Sequence, residues 1–243
     1  MTEHPCTVSN FSMKMNKITD YMSQKHFDTL LEAGKEVTYP SNSFLFMEEE
    51  PADKHFLVLD GQVKITKSTE EGKEIILSLL QKHDFFVEMG TKEKPKFNAT
   101  GQCVTTSKIL VIHRNALEDI ISSDGEFALQ FIKWISITQK MYEARLRDLL
   151  LFGKKGALAS ILIRLVNSYG KMTEEGFVIK TSLTNTELAN MIGTSRENIN
   201  RTLKQFREDN AVVIKQGQMI VTDLSYLKNI VMCPNCPPEI CRM

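Results

Sequence analysis

The sequence has no apolar run of about 18 or more residues, so it predicts no membrane-spanning helix. Its opening stretch, MTEHPCTVSNFSMKMNK, lacks the apolar segment of a secretory signal, and a cytoplasmic protein is expected. Net charge is absent too: 30 Lys and Arg balance 30 Asp and Glu. Cysteine is scarce, with five in 243 residues, an odd number that does not make a disulfide framework. No Gly-x-Gly-x-x-Gly follows a strand pattern and no P-loop motif occurs. No Ser/His/Asp or Cys/His set is recognisable, and His83 and His113 read as isolated structural residues. An enzyme is therefore not expected. What remains is an ordinary globular composition, 42% hydrophobic and 25% charged, sized for one large domain or two smaller ones.

The zero charge hides an asymmetry. Residues 151–243 hold 12 Lys and Arg against 8 Asp and Glu, and residues 1–150 carry the compensating acidic excess. Halves of opposite sign suggest two domains with different partners. The cysteines are also uneven: Cys6 and Cys103 stand alone, whereas Cys233, Cys236 and Cys241 crowd the last eleven residues.

Residues 37–112 alternate short β-branched and aromatic runs with turn signals. Phe44–Phe46, Phe56–Leu59, Val63–Thr66, Glu74–Leu80, Cys103–Thr105 and Lys108–Ile112 read as strands, with turns at Asp60-Gly61 and Glu71-Gly72. No helix pattern interrupts them, so a closed or sandwiched antiparallel sheet is expected. A long helix follows. Large residues recur at Phe127, Phe131, Trp134, Thr138, Met141, Arg145 and Leu149, a near-heptad stripe ending at Gly153. Periodicity alone leaves open whether that stripe packs on its own domain or on a second copy.

The basic half contains a DNA-reading pattern. Thr184 and Glu187 form a capping box, Leu188, Ala189 and Ile192 give a short helix an inner face, and Gly193 permits a sharp turn. Thr194 or Ser195 caps a second helix whose Ile199, Leu203 and Phe206 face inward. Arg196, Glu197, Asn200, Arg201 and Lys204 share the opposite sector. Arg matches guanine O6/N7 and Glu accepts from cytosine N4, so this face suits base edges. Val212–Lys215 and Met219–Val221 read as a hairpin wing beside it.

Over roughly residues 20–230 this arrangement resembles the Crp/Fnr family of bacterial transcription regulators. Ile192-Gly193-Thr194-Ser195-Arg196-Glu197 running to Asn200-Arg201 carries the most specific likeness, and Leu57–Val63 also fits. The resemblance implies an α+β protein divided into an N-terminal extension (1–20), a β-roll like that of cyclic-nucleotide-binding proteins (21–113), a dimerisation helix (114–152), a winged helix-turn-helix (153–230) and a cysteine-rich tail (231–243). It implies a homodimer paired through Phe127, Phe131, Trp134, Thr138, Met141 and Arg145, and contact with RNA polymerase. It also implies base contacts from Arg196, Glu197 and Arg201, supported by Ser195, Asn200 and Lys204, to a TGTGA-like half-site in a palindrome. The family's cyclic-nucleotide binders pair a Gly-Glu element with an Arg-Ser/Thr motif. Here Val87-Glu88-Met89 keeps the glutamate, but Phe97-Asn98-Ala99-Thr100 has no arginine, and cAMP is not the expected ligand.

The tail is a C-x2-C-x4-C pattern, Cys233-Pro-Asn-Cys236-Pro-Pro-Glu-Ile-Cys241. On spacing alone it suits zinc, an iron–sulfur cluster or free thiols equally, and it supplies three ligands where four are usual. Together with Leu146–Leu158 the tail resembles the Bacillus-type Fnr regulators, which implies an oxygen-labile [4Fe-4S] cluster on Cys233, Cys236, Cys241 and Asp148. Apart from that likeness, Asp148 among Arg145, Arg147 and Lys154 reads as a surface ion pair. The expectation is an oxygen-responsive regulator of anaerobic genes. The alternatives are control by thiol redox state or zinc and, further off, a small iron–sulfur electron carrier, which would need a flavin or nucleotide site as well.

Overall fold

The computed structural model describes residues 17–90, 94–180, 183–237 and 239–243; Cys6 lies outside them. A short helix α1 (Gln24–Glu32) starts where the Ser23 hydroxyl accepts the His26 N–H. Eight strands follow: β1 (Gly34–Tyr39), β2 (Phe44–Phe46), β3 (Lys54–Asp60), β4 (Gln62–Ser68), β5 (Glu74–Gln81), β6 (Phe85–Phe86), β7 (Thr100–Cys103) and β8 (Ser107–His113). They pair antiparallel in two sheets, β1-β8-β3-β6 and β2-β7-β4-β5. Between the sheets Phe46 stacks on Phe56, Phe86 and Phe97, with ring centroids 5.1, 4.6 and 4.2 Å away. In β4, buried Val63 and Ile65 flank the outward Lys64, the period-two pattern of a half-buried strand. This is the expected β-roll. The strand placed by sequence at Cys103–Thr105 instead occupies Thr100–Cys103.

Helix α2 (Arg114–Ser123) leads into α3, whose residues run continuously from Gly125 to Tyr169. Asp124 caps α3 by accepting the Glu126 and Phe127 N–H groups, each at 3.0 Å. The run is really two helices. At Gly153 the backbone reaches φ 58° and ψ −162°, a conformation open to glycine and strained for other residues.

The first segment corrects one expectation. Phe127, Phe131, Trp134 and Met141 are buried within their own chain. Three of them join Leu57, Phe85, Leu110 and Leu117 in one core, with Trp134 and Phe85 rings 5.9 Å apart. Thr138 bonds back to the Trp134 carbonyl, and Arg145 donates to the Leu77 carbonyl of β5. The stripe assigned to a partner copy is thus taken by the β-roll, because a helix stripe looks the same whichever surface covers it. The large apolar side chains left outside are Leu129, Ile132, Ile135, Tyr142, Leu146, Leu150 and Leu151.

Past Gly153 the helix is buried from Gly156 through Val166 and forms the centre of the C-terminal unit. Around it lie β9 (Gly170–Thr173), β10 (Gly176–Ile179), α4 (Asn185–Ile192), α5 (Arg196–Glu208), β11 (Val212–Lys215), β12 (Gln218–Val221) and α6 (Leu224–Ile230). The four strands make one sheet, β11-β12-β10-β9. Among the described residues no helix is long and apolar enough to cross a membrane.

Candidate functional site

Helices α4 and α5 are built as their sequences require. Thr184 accepts the Glu187 N–H at 3.1 Å while its own N–H donates to Glu187 Oε2 at 2.7 Å. Gly193 sits at φ 71° and ψ 44°, the left-handed cap that ends α4 and frees the chain to turn. Ser195 accepts the Asn198 N–H and starts α5. Ile199, Leu203 and Phe206 anchor α5 in the core. Ser195, Arg196, Glu197, Asn200, Arg201 and Lys204 are all exposed. Some are already oriented: Asn185 donates to Asn200 Oδ1 at 2.6 Å, and Arg201 to Asn198 Oδ1 at 2.7 Å. The Glu197 carboxyl is held below its ordinary range by its own backbone N–H and then by Ser195, so it stays ionised and can only accept. The arrangement offers cations, an amide and a carboxylate to a groove while the rest of the helix is fixed.

The second grouping lies where α3 breaks. Asp148, only 4% exposed, is not the surface residue its basic neighbours suggested. Its Oδ1 accepts from Arg147 Nε (2.9 Å) and Nη2 (2.5 Å), and its Oδ2 from Ser160 (2.5 Å) and Arg164 (3.3 Å). Arg164, 2% exposed, also donates to the Ile240 carbonyl at 2.9 Å. Asn167 donates to the Cys241 carbonyl at 2.6 Å. The tail therefore folds back onto the helix that follows the break. Burial raises the Cys241 thiol, with Cys233, Cys236 and Asp148 adding to the rise and Arg164 opposing it. Arg164, bonded both to Asp148 and to the Ile240 carbonyl, brings the Cys241 end of the tail to the helix carrying Asp148.

Three thiols and one carboxylate are a donor set suited to iron. Among the described residues, however, no three such groups already stand at metal-binding separation, and Asp148 is engaged by hydrogen bonds. The residues fit a cluster in donor type, and the tail that carries the thiols lies against the helix that holds Asp148, but the four groups do not stand as a coordination shell.

A third feature is a cavity of about 410 Å³ between the β-roll and α3. Glu88, Asn98 and Ala99 line it, so the two segments compared with cyclic-nucleotide motifs do meet there. So do Arg145 and Arg242, cations supplied from α3 and the tail. Burial pushes Arg145 down to about 10, with Arg164 and Arg242 adding like-charge repulsion. Sequence reasoning missed Arg164 and Arg242. A signal for the first existed: an arginine interrupts the apolar run Ala157–Val166. Arg242 gave none.

Residues 36–124 match the family model of the cyclic nucleotide-binding domain, and residues 156–230 that of the Crp-like helix-turn-helix domain. The chain is 34% identical over 236 residues to the anaerobic regulatory protein of Bacillus subtilis (strain 168), covering 96% of this chain and 99% of the relative. It is 25% identical over 189 residues to the CRP-like cAMP-activated global transcriptional regulator of Mycobacterium tuberculosis, covering 77% of this chain and 84% of the relative. Among solved structures, a CooA mutant from Carboxydothermus hydrogenoformans superposes with a TM-score of 0.70 at 22% identity, over 83% of this chain and 89% of that one. That last likeness speaks to the fold alone.

Proposed function

The chain belongs to the Crp/Fnr family of DNA-binding transcription regulators, and from that premise we propose that it is a member whose DNA binding responds to oxygen through an iron–sulfur cluster. Cys233, Cys236, Cys241 and Asp148 would hold the cluster. When bound, it supplies iron–thiolate bonds that oxygen destroys. The observation that carries the reading is that Arg164 joins Asp148, before the break in α3, to the Ile240 carbonyl beside Cys241, while Cys233 and Cys241 pack on the same core as that helix. Similarity over nearly the whole chain to an anaerobic regulatory protein supports it.

The chain's own residues do the coupling. Arg164 and Asn167 hold the main chain of the tail, and Ser160 and Arg164 hold Asp148. A tail fixed in this way restrains the angle between the two segments of α3, and a released tail leaves Gly153 free to bend. The change is a population shift, limited by how differently the two states bind DNA. The exposed stripe Leu129, Ile132, Ile135, Tyr142, Leu146 and Leu150 pairs α3 with its copy. The two α5 helices then read TGTGA-like half-sites about 34 Å apart, one turn of duplex. RNA polymerase is the further partner. In this reading cAMP is not the effector, since the Phe97–Thr100 segment brings no arginine to the cavity and the Arg242 guanidinium there is already paired with Asp84.

An anaerobic absorption spectrum with iron and sulfide assays tests the reading. A brown protein with about four iron and four sulfide per chain is expected. Serine in place of any tail cysteine is expected to remove the colour while the fold persists. A colourless protein with stoichiometric zinc would overturn the iron–sulfur reading and favour zinc control.

A further inference from the structure

We propose that Asp84 is a guanidinium-binding site in the cavity between the β-roll and α3, and that Arg242 on the tail is its tethered ligand. Arg242 Nη2 donates to Asp84 Oδ1 at 2.7 Å, between side chains only 8% and 6% exposed and 158 positions apart in sequence. Asp84 is set for the task. Its Oδ2 accepts the Gln81 N–H at 2.9 Å, and its carbonyl accepts the Val58 N–H at 3.0 Å, so the acid is fixed in the turn between β5 and β6. Arg242 enters from the other side, with its carbonyl held by Arg145 Nη2 at 3.2 Å and Arg164 Nη1 at 3.5 Å. The next residue is pinned as well: the Met243 N–H donates to Ser168 at 3.0 Å. Within three residues of Cys241 the tail therefore touches the β-roll, the first segment of α3 and the second.

Energetics favour a specific role over simple stabilisation. Desolvating two charges costs several kcal/mol, so a buried pair adds little net stability, while breaking one partner strands the other. Among the described residues Arg242 even leaves Nε and Nη1 buried without a protein partner. A guanidinium kept under those conditions, beside two like charges on Arg145 and Arg164, is held for where it points. It points to Asp84, the acid in the turn before β6. The tail thus acts on the β-roll from within the chain, at the cavity where a diffusible ligand would act. This strap does not rest on the iron–sulfur reading, and its test is made on iron-free protein, so either can fail alone.

The measurement is hydrogen exchange at the Cys241 and Met243 amides in the full chain. Arg242→Ala and Asp84→Asn are each expected to speed exchange at least about tenfold, and the double variant no more than either single. Unchanged exchange in either single variant, or multiplying effects in the double, would overturn the strap. Arg242→Lys keeps the charge and most of the stem but loses the planar fork, and serves where the other variants do not fold; exchange at least about threefold faster is expected and unchanged exchange overturns. Methylguanidine supplies a second readout. It is expected to raise the melting temperature of Arg242→Ala and to leave Arg242→Ala/Asp84→Asn unmoved. Equal shifts in the two variants would remove Asp84 as the receptor.

Discussion

Replacing Arg164 with Met tests the junction most directly, because one guanidinium joins the helix bearing Asp148 to the tail bearing Cys241. The side chain is 2% exposed and donates to Asp148 Oδ2, Ser160 Oγ and the Ile240 carbonyl at 3.3, 3.2 and 2.9 Å. Methionine fills similar volume but donates nothing. Removing one member of a buried ion pair costs about 3–5 kcal/mol. Asp148 keeps Arg147 and Ser160, which places the expected loss near the lower end, about 3 kcal/mol, including an orphaned Ile240 carbonyl. Urea unfolding of the iron-free chain reads this as a lower midpoint at unchanged slope. Substituting both partners, Asp148→Leu with Arg164→Met, is expected to recover part of the loss, since no buried charge is stranded and the third-exposed Arg147 guanidinium can turn to water. A single-variant loss below about 1 kcal/mol would refute the argument, placing Arg164 with ordinary surface ion pairs.

Two further outcomes are expected. His55 is fully buried with neither ring nitrogen partnered among the described residues, and burial pushes it down to about 4, with Arg114 adding to the fall and Glu118 opposing it. Its folded-state value is depressed, so its contribution to stability is intact above the ordinary value of 6.5 and is lost as pH falls towards 4. Between pH 7 and 5 that is about 2 kcal/mol, and His55→Leu is expected to remove this part of the pH dependence, measured by urea midpoints across that range. At the other end of the molecule, Arg196→Ala should weaken binding to the cognate half-site by about 1–3 kcal/mol and relax discrimination at one base pair, read by titrating single-base operator variants at fixed salt.

Most of the fold was legible because it is written in local pattern. The strand alternation at Val63–Ile65, the capping box at Thr184 and Glu187, and the turn glycines at Gly153 and Gly193 each act within a few residues. The direction in which a stripe packs is not local. Phe127, Phe131 and Trp134 have the spacing of a seam, yet only the arrival of Phe85 and Leu110 from the β-roll decides which seam it is. The same helix also presents Leu129, Ile132, Leu146 and Leu150 outward, so apolar residues line more than one of its sides and periodicity could not rank them.

The junction was legible only in its cysteines and its aspartate. Cysteine spacing and the family likeness singled out Cys233, Cys236, Cys241 and Asp148, but the residues that hold Asp148 and the Cys241 end of the tail are Ser160, Arg164 and Asn167, on the far side of the Gly153 break. Their contacts reach across 12 to 76 positions, beyond any sequence window. That separation has a mechanical consequence. Asp148 lies before the break and Arg164 after it, so the Asp148–Arg164 bond and the tail contacts all bridge Gly153 in parallel. Gly153 sets no side chain against its surroundings, so in the proposed reading the angle between the two segments depends on which of those bridges is intact. On the proposed reading, a change confined to the tail would therefore reorient α5 without altering any residue of the helix-turn-helix itself.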